Sequence, residues 1–85
     1  MIAGLRPWFL YLLRCRDGSL YTGVTTDVPR RLRQHEHGKG GAYTRSRLPV
    51  RLLYQENHSD RSSALRREAQ IKGWPPADKR RLAAV

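Results

Sequence analysis

Residues 8–26, WFLYLLRCRDGSLYTGVTT, decide the fold. The first half, WFLYLLRCR, is a run of aromatic and apolar residues, the pattern of a well-buried strand. Asp17-Gly18 is a strong signal for a tight hairpin turn. SLYTGVTT then returns as the partner strand. Its Leu20, Thr22 and Val24 share one face, and Tyr21, Gly23 and Thr25 share the other.

Outward from this hairpin, Asp27 is suited to cap a helix, with Pro29 tolerated in its first turn. That helix is expected to run to about His37, with Gly38 ending it. GKGGAYTRSRLP, residues 38–49, reads as a glycine-rich, basic, proline-bounded loop. VRLLYQEN follows as a third strand, with Val50, Leu52 and Tyr54 alternating against Arg51, Leu53 and Gln55. Ser59 or Asp60 caps a second helix that Gly73 ends, and Pro75-Pro76 opens a third through Val85. The order β-β-α-β-α-α predicts an α/β chain of the α+β kind, a small three-stranded, mostly antiparallel sheet flanked by helices. Residues 1–7 read as a leader and 8–85 as a single domain.

A chain of 85 residues affords one small core. Its charge is lopsided: 17 Lys and Arg stand against 7 Asp and Glu, a formal net charge of +10. Fourteen of the 17 are Arg, whose rigid fork of donors suits phosphate. The expected partner is a polyanion, nucleic acid first, whether DNA or RNA. A general basic bias of the source proteome is the bland alternative. Cys15 is the only cysteine, so an internal disulfide is excluded and a reducing compartment is expected. The longest apolar run, Trp8 to Leu13, is too short to span a bilayer. With no secretory pattern at the N-terminus, a cytoplasmic location is expected.

Several polar residues stand where a small core would favour leucine. Val28 and Leu32 define the inward stripe of the first helix, and Arg31 and His35 extend or flank it. A structural reading has Arg31 laying its stem on the core with its head snorkelling outward, and His35 hydrogen-bonded near a helix C-terminus. In the second helix, Glu68 falls between Ala64, Leu65 and Ile71, inside the apolar stripe. An ionised carboxylate there is costly unless it is paired or holds a metal. A salt bridge to one of the arginines is the structural alternative. Tyr11 and Tyr21 lie on neighbouring hairpin strands. Gly23, a glycine inside a good strand, marks close approach of another group.

Two tyrosines, an Arg, a His and a Glu suit phosphodiester hydrolysis. A hydroxyl or imidazole can take a proton from water, and Arg can stabilise charge on phosphoryl oxygens. One carboxylate is enough to hold Mg²⁺, which keeps several of its waters. HExxH, an EF-hand, zinc-type Cys/His spacing and the P-loop are all absent from the sequence.

The chain resembles a GIY-YIG nuclease domain of the short, single-domain bacterial kind. The likeness covers about Trp8 to Leu82. Phe9-Leu10-Tyr11 matches the first signature element and Tyr21-Thr22-Gly23 the second. TTDVPRRLRQH carries the Arg and His at Arg31 and His35. GKGGAYTR, LPVRLLY and SALRREAQIK match in order, and the metal-binding Glu falls on Glu68. The resemblance implies a divalent-metal-dependent DNA endonuclease of low sequence specificity, structure-selective or acting at nicks, ends or flaps, in repair or recombination. It implies one-step hydrolysis with Mg²⁺ or Mn²⁺ at Glu68 and Tyr11 as favoured general base. Tyr21 would contact the phosphate or the water, Arg31 would stabilise the phosphorane, and His35 would orient or deprotonate the tyrosine. Three departures are visible: Phe9 replaces the first motif's glycine, Thr22 occupies the middle of the second, and no Asn follows Glu68.

Candidate backbone contacts are Lys39, Arg45, Arg47, Arg66 and Arg67, and Tyr43 is a candidate for base stacking. A protein partner that directs the chain to its substrate is a further expectation. The enzyme reading requires Tyr11, Tyr21, Arg31, His35 and Glu68 to converge on one solvent-accessible basic cleft. The alternative is a non-catalytic nucleic-acid-binding module with a degenerate nuclease fold.

Overall fold

A computed structural model describes residues 7–84. The expected leader lies outside these residues except for Pro7, as does Val85. Three strands, β1 (Trp8–Arg14), β2 (Leu20–Thr25) and β3 (Arg51–His58), form one sheet in the order β2-β1-β3. Both pairings are antiparallel. The most apolar segment of the sequence takes the central place, and Leu10, Tyr11, Leu12 and Leu13 are buried there. Burial of each leucine contributes about 1.5–3 kcal/mol. The hairpin turn is closed by Asp17, whose Oδ1 accepts from the Ser19 amide at 3.0 Å. Gly18 supplies the positive φ of 85°.

The helix α1 (Val28–Glu36) starts where expected, its cap Asp27 accepting from the Arg30 amide at 3.1 Å. Val28 is buried and Leu32 half-buried on its inner face. The glycine-rich segment departs from expectation. Ala42–Arg45 forms a one-turn helix, α2. Its Arg45 and Ser46 amides return to the Gly41 and Ala42 carbonyls, so four residues suffice and no apolar periodicity announces them. The helix α3 (Arg61–Lys72) begins at Asp60, which accepts from the Ser63 amide at 2.8 Å. After Trp74 and Pro75 the chain enters α4 (Pro76–Ala84).

The third strand corrects the expected alternation. Tyr54 pairs with Leu12, but Leu52 pairs with Leu13, so Leu53 is an extra residue in a β-bulge. Leu52 and Tyr54 therefore serve opposite faces of the sheet. Leu52 joins the cluster of Tyr11, Leu13, Cys15, Val28 and Val50. Tyr54 and Leu53 join Leu10, Leu12, Ile71 and Trp74. The first cluster lies under α1 and the second under α3 and α4. Among the described residues no helix is long and apolar enough to cross a membrane.

Candidate active site

The register sets Tyr11 opposite Gly23 and Leu13 opposite Tyr21, so both tyrosines share the sheet face that α1 covers. Their ring centroids lie 6.3 Å apart. From α1, His35 reaches down between them, 5.9 Å from the Tyr11 ring and 5.2 Å from the Tyr21 ring. The Tyr11 hydroxyl and His35 Nε2 are hydrogen-bonded at 2.9 Å. On the far side of the imidazole, Nδ1 lies 2.8 Å from Thr44 Oγ1 in α2. Tyr11, His35 and Thr44 thus form one chain of hydrogen bonds, each at most 2% exposed.

Two glycines make room for it. A Cβ at residue 23 would stand 2.5 Å from the Tyr11 hydroxyl, and one at residue 40 would strike the His35 ring. The close approach expected at Gly23 is therefore to Tyr11. Arg31, one turn before His35, is half-buried; it donates to Gln34 Oε1 at 2.8 Å and to the Gly40 carbonyl at 3.3 Å. Beside it opens a cavity of about 320 Å³ lined by Trp8, Thr25, Asp27, Arg30, Arg31 and Gln34.

Burial pushes the Tyr11 hydroxyl up to about 12; the nearby Arg31 guanidinium pulls the other way, while Tyr21 and Glu68 add to the rise. Burial also lowers the His35 pKa, and the positive charge of Arg31 lowers it further. The imidazole is accordingly neutral at pH 7, with one nitrogen donating and the other accepting.

Glu68 stands apart from this contact cluster. It lies on α3 between Ala64 and Ile71, both wholly buried, with its own side chain 19% exposed. Its ion-pair partner is Lys72 Nζ at 3.3 Å, and not an arginine. Ile71 packs on Leu10 and Leu12, and α3 also runs against β2, the strand that carries Tyr21 and Gly23. Glu68 is linked to the tyrosine by its charge alone. The expected accessible cleft is narrower than anticipated: Tyr11 and His35 are at most 2% exposed, and Tyr21 and Arg31, half-exposed, carry the cluster to the surface.

The donor set bears on the expected metal. Among the described residues no group of three or more His, Cys, Asp or Glu side chains could hold an ion. A closed zinc-type cage does not fit. A hard cation that keeps most of its waters does fit Glu68, provided it displaces Lys72.

The expected backbone contacts have varied surroundings. Lys39, Arg45 and Arg66 are exposed. Arg47 pairs with Asp17 at 3.2 Å and stacks 3.9 Å over the ring of Tyr43. Tyr43 is 40% exposed, and its ring lies 6.0 Å from Tyr21. Arg67 is taken up by a separate network, its Nε 3.0 Å from Glu56 Oε2. That carboxylate also accepts from the Tyr54 hydroxyl and pairs with His58, both at 2.6 Å. His58 in turn meets Ser63 Oγ at 2.7 Å. Burial would push the Glu56 carboxyl up, but the bonds from Tyr54, His58 and Arg67 together hold it below the ordinary range.

This hairpin, His-bearing helix and Glu-bearing helix define a recognisable class. The model of the GIY-YIG catalytic domain matches residues 7–81, and the chain belongs to that family. Within it, the chain is similar to several UPF0213 proteins. One from Streptococcus sanguinis is 58% identical over 64 residues, covering 75% of this chain and 74% of its own. Another, from Desulfotalea psychrophila, is 52% identical over 79 residues, covering 91% and 72%. The solution NMR structure of a UPF0213 protein from Bacillus halodurans superposes with a TM-score of 0.58 at 41% identity, over 92% of this chain and 83% of that one. A protein from E. faecalis gives 0.62 at 37% identity, over 89% and 81%.

Proposed function

We propose that this chain binds the phosphodiester backbone of nucleic acid, DNA first, and cuts it by divalent-metal-assisted hydrolysis with low sequence specificity. The observation that carries the reading is the hydrogen-bonded chain Tyr11–His35–Thr44 beside Arg31. A core built only for stability would fill this space with apolar groups, yet Gly23 and Gly40 are kept bare to admit a phenol and an imidazole.

With Nδ1 protonated and donating to Thr44 Oγ1, His35 Nε2 accepts the Tyr11 proton. The Tyr11 oxygen can then take a proton from water as it passes its own to His35. A phenol pushed up to about 12 is a poor acid, so this handover and not prior ionisation makes it a base. Arg31 supplies charge for the phosphoryl oxygens, and Tyr21, between Tyr11 and Tyr43, borders the approach. Mg²⁺ or Mn²⁺ at Glu68 would supply Lewis-acid stabilisation of the phosphate. The +10 charge supports a polyanionic partner, and a directing protein and a cytoplasmic location belong to the same reading.

A second reading is a domain that holds nucleic acid without cutting it. The burial of Tyr11 and His35 and the Lys72 pairing of Glu68 favour it. Binding is common to both readings, and cleavage is the added claim of the first. The chain and a Glu68→Ala variant, purified identically, should be compared on labelled single-stranded, duplex, nicked and branched DNA with Mg²⁺, Mn²⁺ or chelator. Metal-dependent cutting lost in a variant that still binds supports the enzyme. Equal binding without cleavage assigns the binding module.

A further inference from the structure

Arg14 and Arg51 are register partners across β1 and β3. Two cations directly opposed on one sheet face repel, and an anion between them relieves that cost. Among the described residues no acidic side chain supplies it, since neither arginine joins an ion pair. Arg80 of α4 joins them, likewise without an ion pair. The three, drawn from three elements, line one cavity of about 420 Å³ together with Leu20, Leu53 and Ala83. By strand alternation Arg14 shares the face of Leu10 and Leu12, so the cavity lies on the opposite side of the sheet from Tyr11 and His35.

We infer that this cavity is a second anion site, taking a phosphate group of a nucleic-acid backbone. Guanidinium forks match phosphate oxygens in pairs, and three arginines lining one cavity outmatch scattered surface charge. The inference rests on the nucleic-acid reading above and adds a substrate class to it. The domain measures only 43 × 28 × 20 Å. Phosphate-seeking arginines on both sheet faces of so small a body suit a bent or branched nucleic acid, whose backbone passes both faces, over a straight duplex lying on one.

The test is the salt dependence of affinity for a three-way branched DNA, read by fluorescence anisotropy. Each phosphate contact contributes about 0.9 to the slope of log K against log salt. The double variant Arg51→Ala/Arg80→Ala should remain folded by circular dichroism and lose roughly two from the slope, by that same relation. A control of equal charge, Arg61→Ala/Arg81→Ala, should lose less than about one. Equal losses in the two variants would overturn the site. Should inorganic phosphate shift the Arg51 and Arg80 Nε resonances while the DNA slopes stay equal, the cavity takes free phosphate and the backbone assignment falls. Failure of the unmodified chain to bind any DNA would instead defeat the nucleic-acid reading, and this site with it.

Discussion

Gly23 faces Tyr11 so closely that any side chain at residue 23 would meet the phenol: an added Cβ would stand 2.5 Å from the hydroxyl and 2.6 Å from Cζ. The glycine weakens strand β2 and is kept because the tyrosine occupies its space. Gly23→Ala should therefore cost about 1–3 kcal/mol by overpacking. Tyr11→Phe removes the nearest atom, so the two substitutions together should cost less than their sum. Chemical denaturation of the double-mutant cycle checks this, and strict additivity would show that the contact does not govern the site.

Thr44 should matter through His35. Thr44→Val leaves a buried imidazole nitrogen without its partner at a cost of about 1–3 kcal/mol, whereas Thr44→Ser should restore most of the loss. Nitrogen NMR of His35 should show one dominant tautomer in the parent and a mixture in the valine variant. An unchanged spectrum would make Thr44 a packing residue.

The pH dependence of stability follows from the depressed pKa of His35. As pH falls below the ordinary histidine value of about 6.5, the unfolded chain takes up a proton that folded His35 resists. Stability is thus fully present above that value and declines as pH falls through the lowered folded pKa. The slope contributed by one proton is at most about 1.4 kcal/mol per pH unit. Glu56, held low by its partners, adds a further loss at more acid pH. His35→Gln should flatten the first decline and leave the second, in urea titrations from pH 7 to pH 3. A first decline that persists in the variant would assign it to other groups.

Glu68 should be nearly dispensable for folding. Its partner Lys72 has a side chain 55% exposed, so the pair is worth at most about 1 kcal/mol. Glu68→Ala should stay folded and lose the paramagnetic broadening that Mn²⁺ causes in resonances of α3. Broadening that survives the substitution would place the cation elsewhere.

Much of this was legible in the chain itself, for identifiable reasons. Strand alternation puts Tyr21 and Gly23 on one face, and helical spacing sets Arg31 and His35 beside Val28 and Leu32. Local patterns of this kind survive folding because the hairpin and α1 are built from short-range contacts. Thr44 was not legible, since a single helical turn within a glycine-rich segment has no periodicity to read. The opposed faces of Leu52 and Tyr54 depend on one bulged residue, which alternation alone cannot reveal. The network of Glu56, His58 and Arg67 did leave a signal: Glu56 and His58 stand two apart on a strand and so share a face. The burial of Tyr11 and His35 was hidden for another reason. It depends on how α1 and α2 close over the sheet, a tertiary matter.

The most direct measurement is single-turnover cleavage of branched DNA by the parent and by Tyr11→Phe, with Mg²⁺ or Mn²⁺ present and the affinity of each determined in Ca²⁺. Phenylalanine keeps the ring and its packing and removes only the hydroxyl that hydrogen-bonds His35. The account predicts metal-dependent cutting by the parent and a loss of about 10²-fold or more in the variant, the scale of general acid–base catalysis, with affinity little changed. Equal cutting by the two proteins, or none by a parent that binds, would contradict it.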